Sequence, residues 1–220
     1  VEAGAKGTPP AHNDASIPAA PAAMAGSNAV PSAAGARAAG DPRMELLRLR
    51  SDVLALEIDP VGGQVRRGEL LGHKVSKGAE SDSENVVLLE DVPGRTYVAQ
   101  SGLVGAPEGV SFPTHKTVFN VLEQPTGGGG TQQLRLVAES GGVRLVRTYR
   151  LAQGSYTVDI TDEVTNLGAA PVRPVLYMQL TRDGSSPAGG SRFYSTYTGP
   201  VIYTDGAKFQ KVKFDDIEKG

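Results

Sequence analysis

The chain contains no cysteine. That excludes a disulfide framework, thiol catalysis, Cys-ligated zinc and iron–sulfur chemistry. A cysteine-free chain fits an oxidising bacterial compartment, because disulfides are optional in a domain of this size. No segment approaches the ~20 consecutive apolar residues of a membrane helix, so the chain as given does not span a bilayer. No basic run occurs either. The 22 Lys and Arg are dispersed and nearly balanced by 24 Asp and Glu, for a formal net charge of -2. No global field therefore favours nucleic acid or acidic lipid. Histidines number only three, and HExxH, CxxC and EF-hand patterns are absent, so no metal or cofactor is assigned. The start at Val1 rather than Met fits a mature fragment whose upstream signal or anchor has been removed.

What is present divides into two parts. Residues 1–43 are rich in Ala, Pro, Gly and Ser and have no aromatic residue. Such a segment cannot bury enough apolar area to offset its ordering entropy, and it reads as a flexible linker, with a partner-binding tail as the alternative. Residues 44–220 change to short apolar–polar alternations. Leu54, Leu56 and Ile58 share one face of a strand that runs through Pro60 into a Gly62-Gly63 turn. Further strands are predicted at Leu47–Arg50, Val86–Leu89 (as a buried strand), Thr96–Ala99, Thr117–Leu122, Leu134–Ala138 and Val143–Arg150. Tyr156–Val164 and Leu176–Leu180 complete the set. In the Tyr156–Val164 strand, Tyr156, Val158, Ile160 and Val164 are expected in the core, with Thr157, Asp159 and Thr161 outward. Many short strands punctuated by Gly and Pro, without a long 3.6-residue apolar period, predict an all-β antiparallel sandwich or barrel.

Few residues point to chemistry. His12 lies in the linker, His73 at a strand end and His115 in a loop. Nothing in their spacing assembles an acid–base pair, and no catalytic residue is assigned. Gly127–Gly130 lacks the Lys-Ser or Lys-Thr of a phosphate loop and precedes a strand, so it reads as a hairpin loop. The stretch from Phe193 to Phe214 stands apart. It holds six of the chain's twelve aromatic residues, interleaved with lysines. One reading is a pair of edge strands joined at Asp205-Gly206, with the aromatics in the core and lysines blunting the edge. The other is an exposed docking edge, with Tyr194, Tyr197, Tyr203, Lys208, Lys211 and Lys213 as partner-binding residues. Lys208, Lys211 and Lys213 are then expected together on the solvent face, with Phe209 and Val212 inward and Phe214 at the core margin. Nucleic-acid binding through base stacking does not fit the net charge.

Four phrases in order resemble the large periplasmic domain of the YidC membrane protein insertase family. They are SDVLALEIDPVGGQVRRGEL (Ser51–Leu70), TYVAQSGLVG (Thr96–Gly105), RTYRLAQGSYTVDITDEVTNLG (Arg147–Gly168) and TYTGPVIYTDGAKFQKVKFDDI (Thr196–Ile217). The resemblance implies a β-supersandwich related in shape to galactose mutarotases and sugar-binding domains. It implies a location on the periplasmic face of the bacterial inner membrane, in a multi-pass insertase and chaperone. It further implies contact with the Sec translocon, through SecF and SecD-YajC, by way of the late aromatic edge at about Phe193–Gly220. The family's insertase activity belongs to membrane helices that this chain does not contain, so inserting proteins would meet that absent part. The family's domain is also implied to continue into helical segments beyond Gly220.

The leading expectation is a non-catalytic periplasmic accessory domain. The alternative is a carbohydrate or elongated-ligand binding module, suggested by the relation of the fold to sugar binders. An aldose epimerase would require a His acid and a Glu base converging in a polar cleft.

Overall fold

The computed structural model describes residues 44–75, 84–125, 130–184 and 197–219. The linker reading of residues 1–43 lies outside them, as do His12, Phe193 and Tyr194.

Alternation of apolar and polar residues builds two antiparallel sheets. The first comprises β1 (Leu47–Arg50), β2 (Leu54–Asp59), β3 (Gln64–Lys74), β4 (Asn85–Val92), β5 (Arg95–Val104) and β10 (Val175–Arg182), in the order β1-β2-β3-β4-β5-β10. The second comprises β6 (Asn120–Glu123), β7 (Gln132–Ser140), β8 (Val143–Leu151) and β9 (Val158–Asn166), in the order β6-β7-β8-β9. A separate hairpin pairs β11 (Val201–Thr204) with β12 (Lys208–Lys211), and a short helix α1 (Phe214–Lys219) follows. The core lies between the two sheets. Leu49, Leu54, Leu56 and Ile58 of the first pack with Leu134, Leu136, Leu145 and Leu151 of the second, and Phe112 and Phe119 of the connecting segment complete the cluster. The architecture is therefore an all-β sandwich.

The Gly62-Gly63 turn has φ of 80° and 55°. A Cβ at Gly62 would fall 2.1 Å from the His115 carbonyl oxygen, so the turn is both left-handed and pressed against the β5–β6 connection. Asp59 Oδ1 accepts the Val61 N–H at 2.8 Å and fixes the entry to the turn.

Three expectations need correction. Tyr156 precedes β9 and is 49% exposed, while Ile160 and Val164 are 45% and 42% exposed; only Val158 reaches the core margin. The face was read correctly, since Ile160 and Val164 lie opposite the buried Tyr149 and Leu145. However, among the described residues β9 is a sheet edge, and a cleft separates its Ile160 from Met178 and Leu180 of the other sheet. Val86–Leu89 is a strand, but half-buried to exposed rather than buried, because Leu89 alone of this run packs against the core cluster. In Thr117–Leu122 only Asn120 onward is strand; Phe119 enters the core from a loop, and Val118 makes an isolated bridge with Val61.

Candidate interaction surface

The hairpin stands on local chemistry. Strand β11 pairs β12 with Val201 opposite Lys211, Tyr203 opposite Phe209 and Thr204 opposite Lys208. The connection is Asp205-Gly206-Ala207, and the Ala207 N–H donates to Thr204 Oγ1 at 3.1 Å. Lys208 closes the loop at φ 57°, the left-handed position that a three-residue hairpin loop requires. The Val212 N–H continues the ladder to the Pro200 carbonyl at 3.0 Å. The Tyr197 hydroxyl lies against the Val212 and Pro200 carbonyls and ties the base together.

Opposite residues of a sheet share a face. Val201, Tyr203, Phe209 and Lys211 therefore lie on one face, and Ile202, Thr204, Lys208 and Gln210 on the other. This corrects two expectations. Lys208 and Lys211 are three positions apart, so they point to opposite faces, although each is exposed. Phe209 is not inward. It is 77% exposed and meets the half-exposed Tyr203 edge to face, with ring centroids 5.0 Å apart. The reading that placed these aromatics in a core is thus set aside. Val212, expected inward, is only half-buried, and Phe214 is half-buried, in keeping with a place at the core margin. The lysines stay near aromatic faces: Lys211 Nζ lies 5.2 Å from the Tyr197 ring centroid and Lys208 Nζ 5.9 Å from that of Tyr203. Lys213 is exposed between β12 and α1. The Arg182 guanidinium sits over both Tyr97 (5.6 Å) and Phe214 (6.0 Å), linking the start of α1 to the end of the first sheet.

The histidines belong to separate local arrangements. His73 Nδ1 is 3.4 Å from the Tyr156 hydroxyl at the exposed end of β3. His115 is buried, with Nδ1 2.6 Å from the Tyr177 hydroxyl, which also accepts the His115 backbone N–H at 3.1 Å. Among the described residues no group of three or more His, Asp or Glu could hold a metal ion.

Two features were not anticipated. The first is a buried polar cluster. Arg147 is fully buried; its Nε and Nη2 donate to the two Asp162 carboxylate oxygens at 2.7 and 2.8 Å, and Nη1 donates to the Gly62 carbonyl at 3.2 Å. The guanidinium also lies 5.6 Å from the Phe119 ring centroid. Burial by itself would lower the Arg147 pKa, but the Asp162 hydrogen bonds and charge outweigh it and hold the guanidinium above its ordinary value. The Tyr149 hydroxyl donates to the Gly63 carbonyl. Burial pushes its pKa up to about 12 despite the opposing pull of Arg147. The signal was available: Arg147 is in phase with Val143, Leu145 and Tyr149 on the core face of β8. The second feature is a cleft of about 170 Å³ between the sheet edges, lined by Gly63, Val65, Tyr149, Ile160, Met178 and Leu180 among others.

The model of the YidC periplasmic domain family matches residues 46–220, nearly the whole described structure. The chain belongs to the YidC periplasmic domain family. Relatives named "Membrane protein insertase YidC" include one from Janthinobacterium sp. (strain Marseille), 44% identical over 180 residues, covering 81% of this chain and 31% of the relative. The protein of that name from Bordetella pertussis is 45% identical over 178 residues, covering 80% and 31%. That from Cupriavidus necator is 46% identical over 201 residues, covering 88% and 34%. The chain thus spans about a third of the length of the curated relatives it matches. Family membership places this β-sandwich on the periplasmic side of the inner membrane. Among the described residues no helix is long and apolar enough to cross that membrane.

Proposed function

We propose that this domain is a non-catalytic interaction module of an inner-membrane protein insertase and chaperone, and that it docks on the Sec translocon through the β11–β12 hairpin, with SecF as the direct partner and SecD-YajC alongside. Insertion itself would be the work of membrane-embedded parts of the longer relatives. The observation that carries the reading is the exposure of the hairpin's Val201, Tyr203 and Phe209 beside Lys211. An isolated two-stranded hairpin in water is marginal, and one that presents an aromatic pair with flanking lysines suits a protein interface, where aromatic anchors supply affinity and charges the encounter rate. Tyr197, Tyr203, Lys208, Lys211 and Lys213 are the proposed contact residues, and Tyr194 would extend them.

The test is titration of the domain with the periplasmic part of SecF. Lys208→Glu, Lys211→Glu and Lys213→Glu together should slow association and flatten or invert its salt dependence, since the attraction that salt screens is removed. Tyr203→Ala with Phe209→Ala should weaken binding at least about ten-fold, with an unchanged circular dichroism spectrum. Undiminished binding by the folded variants rejects the hairpin as the interface. A second reading, binding of an elongated ligand, is favoured by the cleft between β9 and β10. Its aliphatic lining of Val65, Ile160, Met178 and Leu180 suits an apolar chain better than a carbohydrate.

A further inference from the structure

The sequence holds two Asp-Gly pairs, Asp183-Gly184 and Asp205-Gly206. An aspartate followed by glycine can react with itself. The glycine's backbone nitrogen reaches the side-chain carboxyl carbon, and no Cβ hinders the approach. Ring closure is intramolecular, so it asks for neither a free surface nor a co-reactant. It asks that the carboxylate and the next peptide N–H be untied, and that the backbone between them can rotate.

The fold treats the two pairs differently. Asp183 is held where the β5–β10 ladder ends. Its N–H donates to the Thr96 carbonyl at 2.9 Å, and its carboxylate accepts the Thr96 N–H in return. Gly184 lies beside Phe214, where an added Cβ would meet the Phe214 Cβ at 3.6 Å. Asp205 and Gly206 instead open the β11–β12 loop, and both are exposed. Among the described residues neither the Asp205 carboxylate nor the Gly206 N–H has a hydrogen-bond partner; the loop's side-chain bond runs from the Ala207 N–H to Thr204 Oγ1. Among the described residues the hairpin also pairs with no other strand. A two-stranded hairpin of this kind is marginal and opens locally, which frees the loop backbone to rotate.

We propose that Asp205-Gly206 is a self-modification site at which the chain converts aspartate to isoaspartate. The Gly206 nitrogen attacks Cγ of the protonated Asp205 carboxyl group. A C–N bond forms, and the amide proton and the carboxyl hydroxyl leave together as water. The resulting succinimide takes up one water. Opening at the side-chain carbonyl restores aspartate; opening at the main-chain carbonyl leaves the peptide linkage running through Cβ, which is isoaspartate. No electron is transferred, and the product has the mass of the original chain. The new linkage adds one carbon to the main chain of a three-residue loop. Loop length fixes hairpin register, and Lys208 already takes φ 57° to close this loop, one position from the contact of Tyr203 with Phe209. The isomerised loop no longer matches that closure, and β11 unpairs from β12. Such a chain would lose the proposed contact face; that consequence rests on the docking reading, whereas the chemistry does not.

The test ages the full 220-residue chain at neutral pH and elevated temperature. Peptide mapping with electron-transfer fragmentation then distinguishes isoaspartate from aspartate. Asp205 should accumulate isoaspartate at least about ten-fold faster than Asp183, whose backbone is held by the ladder. Gly206→Ala should slow the reaction at Asp205 at least about ten-fold by crowding the attacking nitrogen. Gly206 lies outside the left-handed region and a Cβ there meets nothing within 4 Å, so this variant should keep the circular dichroism spectrum of the native chain. In the isomerised chain, separated by chromatography, amide hydrogen exchange should be faster across Val201–Lys211 and unchanged in β7 and β8. Equal rates at Asp183 and Asp205, a Gly206→Ala chain that isomerises as fast as the native one, or native exchange across the hairpin of the isomerised chain overturns the proposal. SecF takes no part in these measurements, so failure of the docking reading and failure of this proposal are told apart.

Discussion

Replacing Asp162 by alanine removes the carboxylate bound to a guanidinium whose side chain is 1% exposed. The charge of Arg147 remains, because its pKa lies far above neutrality. It retains the Gly62 carbonyl and the Phe119 face, neither of which compensates a full positive charge. Breaking a buried ion pair on one side costs about 3–5 kcal/mol. For a domain of this size that lowers the melting temperature by roughly 10 °C. The opposite truncation is milder. Arg147→Met keeps apolar volume in the core and leaves Asp162, 10% exposed on an edge strand, a short route to water. Its cost should be about 1–3 kcal/mol, from the lost hydrogen bonds and the orphaned Gly62 carbonyl. The double variant should then be more stable than the sum of the single costs implies, by about 2 kcal/mol or more. Urea denaturation followed by circular dichroism measures all three. A cost below about 1 kcal/mol for Asp162→Ala, or strict additivity, would refute the claim that this pair closes the β2–β3 turn against β8.

Other outcomes follow from the same geometry. Tyr149 has a folded pKa of about 12 against an ordinary value of 10.0, so the folded state binds more protons between these values. Stability contributed by its neutral hydroxyl is complete below pH 10 and should be lost as pH rises toward 12, by about 2–3 kcal/mol; Tyr149→Phe should remove that dependence from alkaline denaturation curves. Gly62→Ala should destabilise by about 3 kcal/mol or more, since a Cβ meets backbone at a positive φ, and reduced soluble yield with early urea unfolding would show it. Leu145→Ala should cost about 3 kcal/mol and Ile160→Ala under about 1 kcal/mol, because the first side chain is fully buried and the second is 45% exposed; equal values in urea would contradict the edge position of β9.

Period-two alternation made most strands and their faces legible in the sequence, and the Gly62-Gly63 turn was legible because Pro60 and paired glycines leave few backbone options. Alternation could not show how far each sheet is covered. Ile160 and Met178 have the pattern of core residues and lie on inner faces, but coverage depends on the length and splay of the opposite sheet, which is long-range information. Phe209 was misplaced for a related reason. Among the described residues its strand pairs with β11 alone, and no second layer buries it. Arg147 shows the converse: its phase marked it as inward, but expectation of charge at the surface hid the buried pair with Asp162, whose partner lies across a strand register.

The central claim is that the hairpin is the docking surface, and photo-crosslinking within the membrane tests it most directly. A photoreactive phenylalanine analogue placed at Tyr203 or Phe209 in the intact insertase should capture SecF, and one at the exposed Thr161 of β9 should not. Capture of SecF from Thr161, with none from Tyr203 or Phe209, would contradict the account.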